Sequence, residues 1–173
     1  MRKSFFAGLT LFLIIGLIGC AGLQQVKQED LTIQRVVEVS DYTKHQVYDQ
    51  CKIWIAENFR SAKAVIEHDD RENCTLIGNG IIKYPCSGIE CIAKSDWKVH
   101  FTMRIDTKDG KFRQTFSNLQ LSWPARVDSL GYHAPHQGPI VTQGDLNTVK
   151  PKLLEMGDQI QAAMTKPKLK SDW

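Results

Sequence analysis

Trp97, Val99, Phe101, Met103 and Ile105 alternate without a break with Lys98, His100, Thr102, Arg104 and Asp106. A period of two over ten residues fits a half-buried strand and no helix, because successive strand side chains point to opposite faces. Lys108-Asp109-Gly110 follows, where glycine takes the positive φ of a tight hairpin. Residues 111–121 then return with Phe112 and Phe116 on the apolar side. An antiparallel sheet with one dry face has to form here, and something apolar must cover that face. Leu119, Leu121 and Trp123 switch parity relative to Phe112 and Phe116, which predicts a bulge near the switch.

The cover is legible upstream. Val47, Tyr48, Cys51, Trp54, Ile55 and Phe59 recur in steps of three and four, one stripe of a helix over 44–59, with Ser40 or Asp41 available as its cap. Lys52, Glu57 and Arg60 fall on its wet side. Residues 33–39 are rich in β-branched side chains and read as a strand. A short strand over 64–68, a polar turn from Asp69 to Asn73 and a strand over 75–84 come next. Gly78 and Gly80 inside the last of these point to a bulge or a close backbone approach. They do not make a phosphate loop, because no Gly-Lys-Ser/Thr element follows. Residues 124–143, with Gly131, Pro135, Gly138 and Pro139, read as a long loop. A last helix is expected over 146–164, with Val149, Leu153, Ile160 and Met164 near one stripe and Pro151 in its first turn. No internal repeat is present, and 42% hydrophobic with 24% charged residues suits one globular domain.

The first residues speak to location. Met1 to Lys3 is a short basic start, followed by an apolar stretch from Phe5 to Gly19 that is short for a membrane-spanning helix. Leu17-Ile18-Gly19-Cys20 resembles the lipobox of bacterial lipoproteins. That resemblance implies cleavage before Cys20, acylation of its thiol and then of its amino group, and, with Ala21 rather than Asp next, sorting to the outer membrane. The expected organisation is a signal peptide over 1–19, a lipidated Cys20 with a short tether over 20–30, one domain over 31–165 and a fraying tail over 166–173. Without Arg2 and Lys3 the chain has 20 basic against 19 acidic residues, so no overall charge footprint for nucleic acid remains.

Trp54-Ile55-Ala56-Glu57-Asn58-Phe59 with Ser61-Ala62-Lys63-Ala64-Val65-Ile66, Leu76-Ile77-Gly78-Asn79-Gly80 and the Lys108-Asp109-Gly110-Lys111-Phe112-Arg113 hairpin form a distinctive set. They resemble a bacterial family of unknown function with a TATA-box-binding-protein-like fold, whose members often follow a lipoprotein signal. The resemblance covers roughly residues 31–121. It implies an α+β fold: a curved antiparallel sheet of about five strands, with one long helix and a C-terminal helix packed on one face. No catalytic or binding residue is established for the family, so none carries over, and the name of the fold implies no DNA binding.

Four cysteines remain after Cys20. Cys86 and Cys91 flank Ser-Gly-Ile-Glu between two expected strands, a spacing that suits a bridge in an oxidising compartment. Cys51 and Cys74 are either a second bridge or two buried free thiols. A zinc site is the weaker alternative, because Cys86-x4-Cys91 has no partner pair of matching spacing. His133 and His136 could share a metal ion with Asp128 or Asp145, or be two plain loop histidines, and no cofactor is implied. Opposite the core, Lys98, His100, Thr102 and Arg104 stand beside Lys111, Arg113, Thr115 and Ser117, with Asp106 the sole acid. That face is either simply polar or an anion-binding platform for lipid headgroups, lipopolysaccharide phosphates or an acidic partner. Catalytic motifs such as Gly-x-Ser-x-Gly and His-Glu-x-x-His are missing from the sequence. The expectation is a lipid-anchored envelope protein that binds through its sheet face or the 124–143 segment. A hydrolase or metal-dependent enzyme sited in that segment is the alternative, and a structural subunit of an envelope complex the third.

Overall fold

A computed structural model of the protein describes residues 24–59, 65–128 and 131–165, leaving the side chains of Val65 and Asp128 aside. The expected signal peptide over 1–19, Cys20 and the expected tail over 166–173 lie outside the described residues. The elements are β1 (Ile33–Glu38), α1 (Lys44–Asn58), β2 (Val65–Asp70), β3 (Thr75–Lys83), α2 (Glu90–Lys94), β4 (Lys98–Lys108), β5 (Lys111–Trp123), β6 (Arg126–Asp128), β7 (Gly131–His133), β8 (His136–Pro139) and α3 (Gln143–Thr165).

The main sheet is antiparallel, in the order β1-β5-β4-β3-β2, with β8 as a sixth strand on β5. The β4–β5 hairpin is its centre, as the alternation required. Asp109 and Gly110 make the turn, with Gly110 at φ +70°. The register slips between His100 and Thr102, and Asn118 opposite the slip takes φ +52°, so the bulge falls where the parity changes. β1 pairs with the first half of β5, Ile33 opposite Phe116, and β8 with its second half, Trp123 opposite His136. One long strand thus serves two short ones end to end.

α1 lies over β3, β4 and β5 and also touches α3, which lies over β1. Val47, Tyr48, Cys51, Trp54 and Ile55 are buried, the stripe expected from their spacing. Phe101 sits between Phe59 and Phe116, ring centroids 6.4 and 5.5 Å away, with edges against faces. Gly80 is the close approach: a Cβ there would lie 2.4 Å from Cζ of Phe101. The cap of α1 is Thr43, not Ser40 or Asp41. Gln46 N–H donates to Oγ1 of Thr43 at 3.4 Å, while Thr43 N–H donates to Oε1 of Gln46 at 2.9 Å. Asp41 instead turns the chain, at φ +68°.

Four other expectations change. α3 begins three residues before 146, so Pro151 lies inside the helix rather than in its first turn, on the exposed side where its missing N–H disturbs no packing. The 124–143 segment is not a loop. The β6–β7 ribbon and β8 occupy most of it, strands too short and too rich in Gly and Pro to show a period. Asp69 is not part of a solvated turn: it ends β2 with Asp70 and accepts hydrogen bonds from Tyr48 and Lys52 of α1. The residues from Gln24 on, expected as part of a tether, are not free of the domain. Gln24 to Leu31 pack onto the domain, with Gln25 bridged to Thr142 and Val26 N–H donating to the Val141 carbonyl at 3.0 Å. Among the described residues, no helix is long and apolar enough to cross a membrane.

The two ends of the sheet differ. At one end lie the Asp109–Gly110 turn and the last turn of α3, where Tyr42 donates to the Met164 carbonyl at 2.5 Å. At the other β3 and β5 end and β4 begins, and there α2, β6–β7, the start of α3 and Gln24 gather.

Candidate functional site

That second end carries the molecule's densest chemistry. Trp97 precedes β4 and Trp123 ends β5, and the hairpin register brings their rings together, stacked at 4.3 Å. His136, opposite Trp123 on β8, stacks on its other side at 4.2 Å. Tyr84 meets Trp97 edge-on at 5.7 Å. The three stacked rings line a cleft of about 740 Å³ that also takes in Lys83, Asp96, Lys98, Ser122 and Gln137.

Lys83 and Lys98 are direct cross-strand neighbours on β3 and β4. Like charges placed so repel each other, and neither has an ion-pair partner among the described residues. The charge of Lys98 also reaches His100, whose ring bonds Ser122 Oγ at 2.7 Å. Burial first, and Lys98 second, push its pKa below the ordinary histidine value. The imidazole is therefore neutral at pH 7, and the local positive charge belongs to the lysines.

Behind the cleft is a closed polar knot. Lys94 Nζ lies 2.7 Å from both Glu90 Oε1 and Asp145 Oδ1, and Tyr84 donates to the same Asp145 oxygen at 2.7 Å. Thr142 donates to Asp145 Oδ2 at 2.5 Å. Burial works against the Asp145 carboxylate, but the bonds from Lys94, Thr142 and Tyr84 outweigh it and hold the group below the usual carboxylate range. Burial and the Asp145 bond together push Tyr84 up to about 12. Each of these groups is spent on another, so the knot fixes α2 against α3 and leaves no free acid or base.

The expected sheet-face residues are not one patch. Lys98 and Arg104 are six residues apart on β4, roughly 20 Å at the rise of a strand. Arg104 reaches Asp106 with Nη2 at 2.7 Å, and Arg113 reaches its other oxygen at 2.9 Å. Partial burial opposes ionisation of Asp106, yet the two arginines prevail and keep its carboxyl low. Lys111 stands opposite Glu38 of β1. His133 lies on β7 opposite Arg126, and His136 belongs to the ring stack. Asp145 is committed to Lys94, and no group of three or more His, Cys, Asp or Glu among the described residues is placed to hold a metal.

Cys86 and Cys91 are bridged as expected, their Cα atoms 5.1 Å apart, in the connection between β3 and β4, around the turn that leads into α2. Cys51 and Cys74 are free and buried. The fold does place one Cys beside a His, a pairing the sequence did not suggest: Cys74 Sγ is 3.4 Å from His45 Nδ1. That thiol also donates to the Arg71 carbonyl at 3.3 Å and is 1% exposed, which closes the 71–74 turn and leaves no nucleophile at the surface.

A family model described as "Domain of unknown function (DUF4468) with TBP-like fold" matches residues 34–122. A solved DUF4468 family protein from Bacteroides ovatus ATCC 8483 is 13% identical with a TM-score of 0.52, covering 87% of this chain and 96% of that one. A TBP-like protein from Parabacteroides distasonis ATCC 8503 is 11% identical with a TM-score of 0.57, covering 86% and 99%. At such identity the likeness speaks for the fold alone. No curated protein matches the chain.

Proposed function

The chain belongs to the DUF4468 family of domains of unknown function with a TBP-like fold, and we propose that it is a non-catalytic binding module, anchored in the bacterial outer membrane through acyl groups on Cys20. The module takes an anionic ligand in the cleft at the end of the sheet, where Lys83 and Lys98 meet its phosphate or carboxylate and the rings of Trp97, Trp123 and His136 meet a flat or apolar part. One observation carries this reading: two adjacent lysines, neither with an ion-pair partner among the described residues, line the same cleft as a stack of three rings, with Asp96 its one acid. Repelling like charges cost stability unless something negative joins them. Binding is favoured over catalysis because the strongly perturbed groups nearby are bonded to one another. Lipidation rests on the Leu17-Ile18-Gly19-Cys20 resemblance.

A glucosamine disaccharide bisphosphate is a suitable probe, since it joins phosphates to sugar rings. Tryptophan fluorescence should change saturably on titration, and Lys83→Glu with Lys98→Glu should weaken binding at least about tenfold, the scale of one lost charge-assisted contact. Lys111→Glu, at the far end of β5, should leave it unchanged. Equal affinity in the wild type and the double reversal would reject the cleft as the site.

A further inference from the structure

We propose that the end of the molecule formed by α2 and the β6–β7 ribbon is a bilayer-docking face, with Ile89, Ile92, Val127 and Tyr132 entering the headgroup layer. This deepens the anchored reading and rests on Cys20 being acylated. The four residues are 85%, 82%, 78% and 68% exposed, the highest values among the large hydrophobic residues described. Single exposed apolar residues are ordinary, but a group on adjoining elements marks an interaction surface. These elements do adjoin, since Arg126 Nη1 of β6 donates to the Ala93 carbonyl of α2 at 3.1 Å.

The face is also held in shape. The Cys86–Cys91 bridge closes the turn that presents Ile89, and Lys94 ties the end of α2 to Asp145. Little conformational freedom remains to be lost when such a tip is buried.

The position of the anchor selects the occupant. Gln24 is fixed: its carbonyl accepts from Gln143 N–H at 2.8 Å, two residues before Asp145 and so beside α2. Four chain steps lead from Gln24 to Cys20, a reach of at most about 14 Å. Acyl chains on Cys20 hold the bilayer within that distance of this end, while the Asp109–Gly110 turn points away. A headgroup layer is on the order of 5–8 Å deep on each side, so exposed isoleucines here meet lipid before they meet a protein. Lys83 and Lys98, at the same end, face the negative charge of lipid phosphates.

The test uses the full chain with its acyl groups, placed in vesicles of phosphatidylethanolamine and phosphatidylglycerol whose acyl chains are brominated. Ile92→Trp puts a reporter in the face, and Ile53→Trp puts one on the exposed side of α1 as control. Bromine should quench the added tryptophan at 92 at least about twofold more than that at 53, as expected for side chains that enter the interface. Equal quenching in protein whose mass shows the acyl groups would overturn docking and leave the anchor standing. A mass without acyl groups would overturn both. Detergent-solubilised protein that sediments as a dimer, and as a monomer after Ile89→Asp with Ile92→Asp, would assign the face to a second copy and overturn the proposal.

Discussion

Lys94 at the end of α2 and Asp145 in the first turn of α3 are 51 residues apart in the chain and 2.7 Å apart in the fold. Lys94 also lies over the rings of Tyr84 and Trp97, 4.7 and 5.0 Å from their centroids. One ammonium thus joins a disulfide-closed turn, a helix N-terminus and the edge of the ring stack. Lys94→Met should keep the aliphatic packing and leave Asp145 without its cation. The expected loss is about 2 kcal/mol, less than the roughly 3–5 of a fully buried pair because the lysine side chain keeps some exposure. Urea unfolding checks it.

The same knot contributes to the loss of stability at alkaline pH. Tyr84, held at about 12, keeps its proton in the folded state past the point where an unfolded tyrosine loses it. Its contribution is therefore complete below about 10 and is lost as the pH rises towards 12. Tyr84→Phe should flatten that loss, and melting temperatures measured from pH 8 to 11.5 will show it. Asp145, held low, acts in the opposite sense. Its contribution is present above the ordinary carboxylate value and disappears as the pH falls through the lowered one, so Asp145→Asn should weaken the acid dependence of melting.

Gly80→Ala should destabilise the domain by about 2 kcal/mol, the cost of overpacking a fixed core. The added methyl would meet the Phe101 ring at 2.4 Å, and that ring is confined by Phe59 and Phe116. Denaturant midpoints of the two proteins decide it. A change under about 0.5 kcal/mol would mean the ring yields.

This glycine was legible because a Gly inside an apolar strand weakens the strand unless a bulge or a close neighbour requires it. The β4–β5 hairpin was legible because its alternation is long. The β6–β7 ribbon and β8 were not, since strands of three and four residues are too short to show a period and take their conformation from their partners, β8 from β5 and β6 and β7 from each other. Thr43 escaped notice as a cap because Ser40 and Asp41 compete for the role, and only the turn at Asp41 decides between them. The cleft is harder still, for Lys83, Trp97, Trp123 and His136 come from four segments. One signal existed: the Asp109–Gly110 turn alone would pair Trp97 with Ser122, and the one-residue bulge that the parity switch announces moves the register on so that Trp97 meets Trp123. The resemblance to the family predicted the fold but assigned no residue a task.

The cysteines divide by environment. Cys51 and Cys74 should resist a water-soluble thiol reagent in the native protein and react on unfolding, because both are at most 1% exposed and burial pushes the Cys51 thiol up. Replacing Cys86 and Cys91 by Ser should cost about 2 kcal/mol, the loop-closure entropy of a six-residue ring. Thiol counting before and after denaturation, and thermal melts of the double variant, test the two halves separately.

The cationic residues of the sheet can be separated by charge reversal. Arg104 and Arg113 both bond Asp106, so Arg113→Glu would set a second carboxylate beside an Asp106 left with one arginine. The Asp106 carboxyl would rise from its lowered value, and stability between pH 4 and 6 should fall by about 1 kcal/mol, the scale of a partly exposed pair. Lys98→Glu acts differently. It sets an acid beside Lys83, relieves the cross-strand repulsion and should stabilise the fold by a few tenths of a kcal/mol. In the cleft the same change removes a cation from the ligand. If the cleft is the site, Lys98→Glu gives a more stable protein that binds anions poorly, while Arg113→Glu gives a less stable protein that binds them as before. Melting and titration of the two variants together therefore distinguish a site at the end of the sheet from one spread across its face. A broad face would lose affinity in both, and only the cleft predicts that Arg113→Glu loses stability while keeping its affinity.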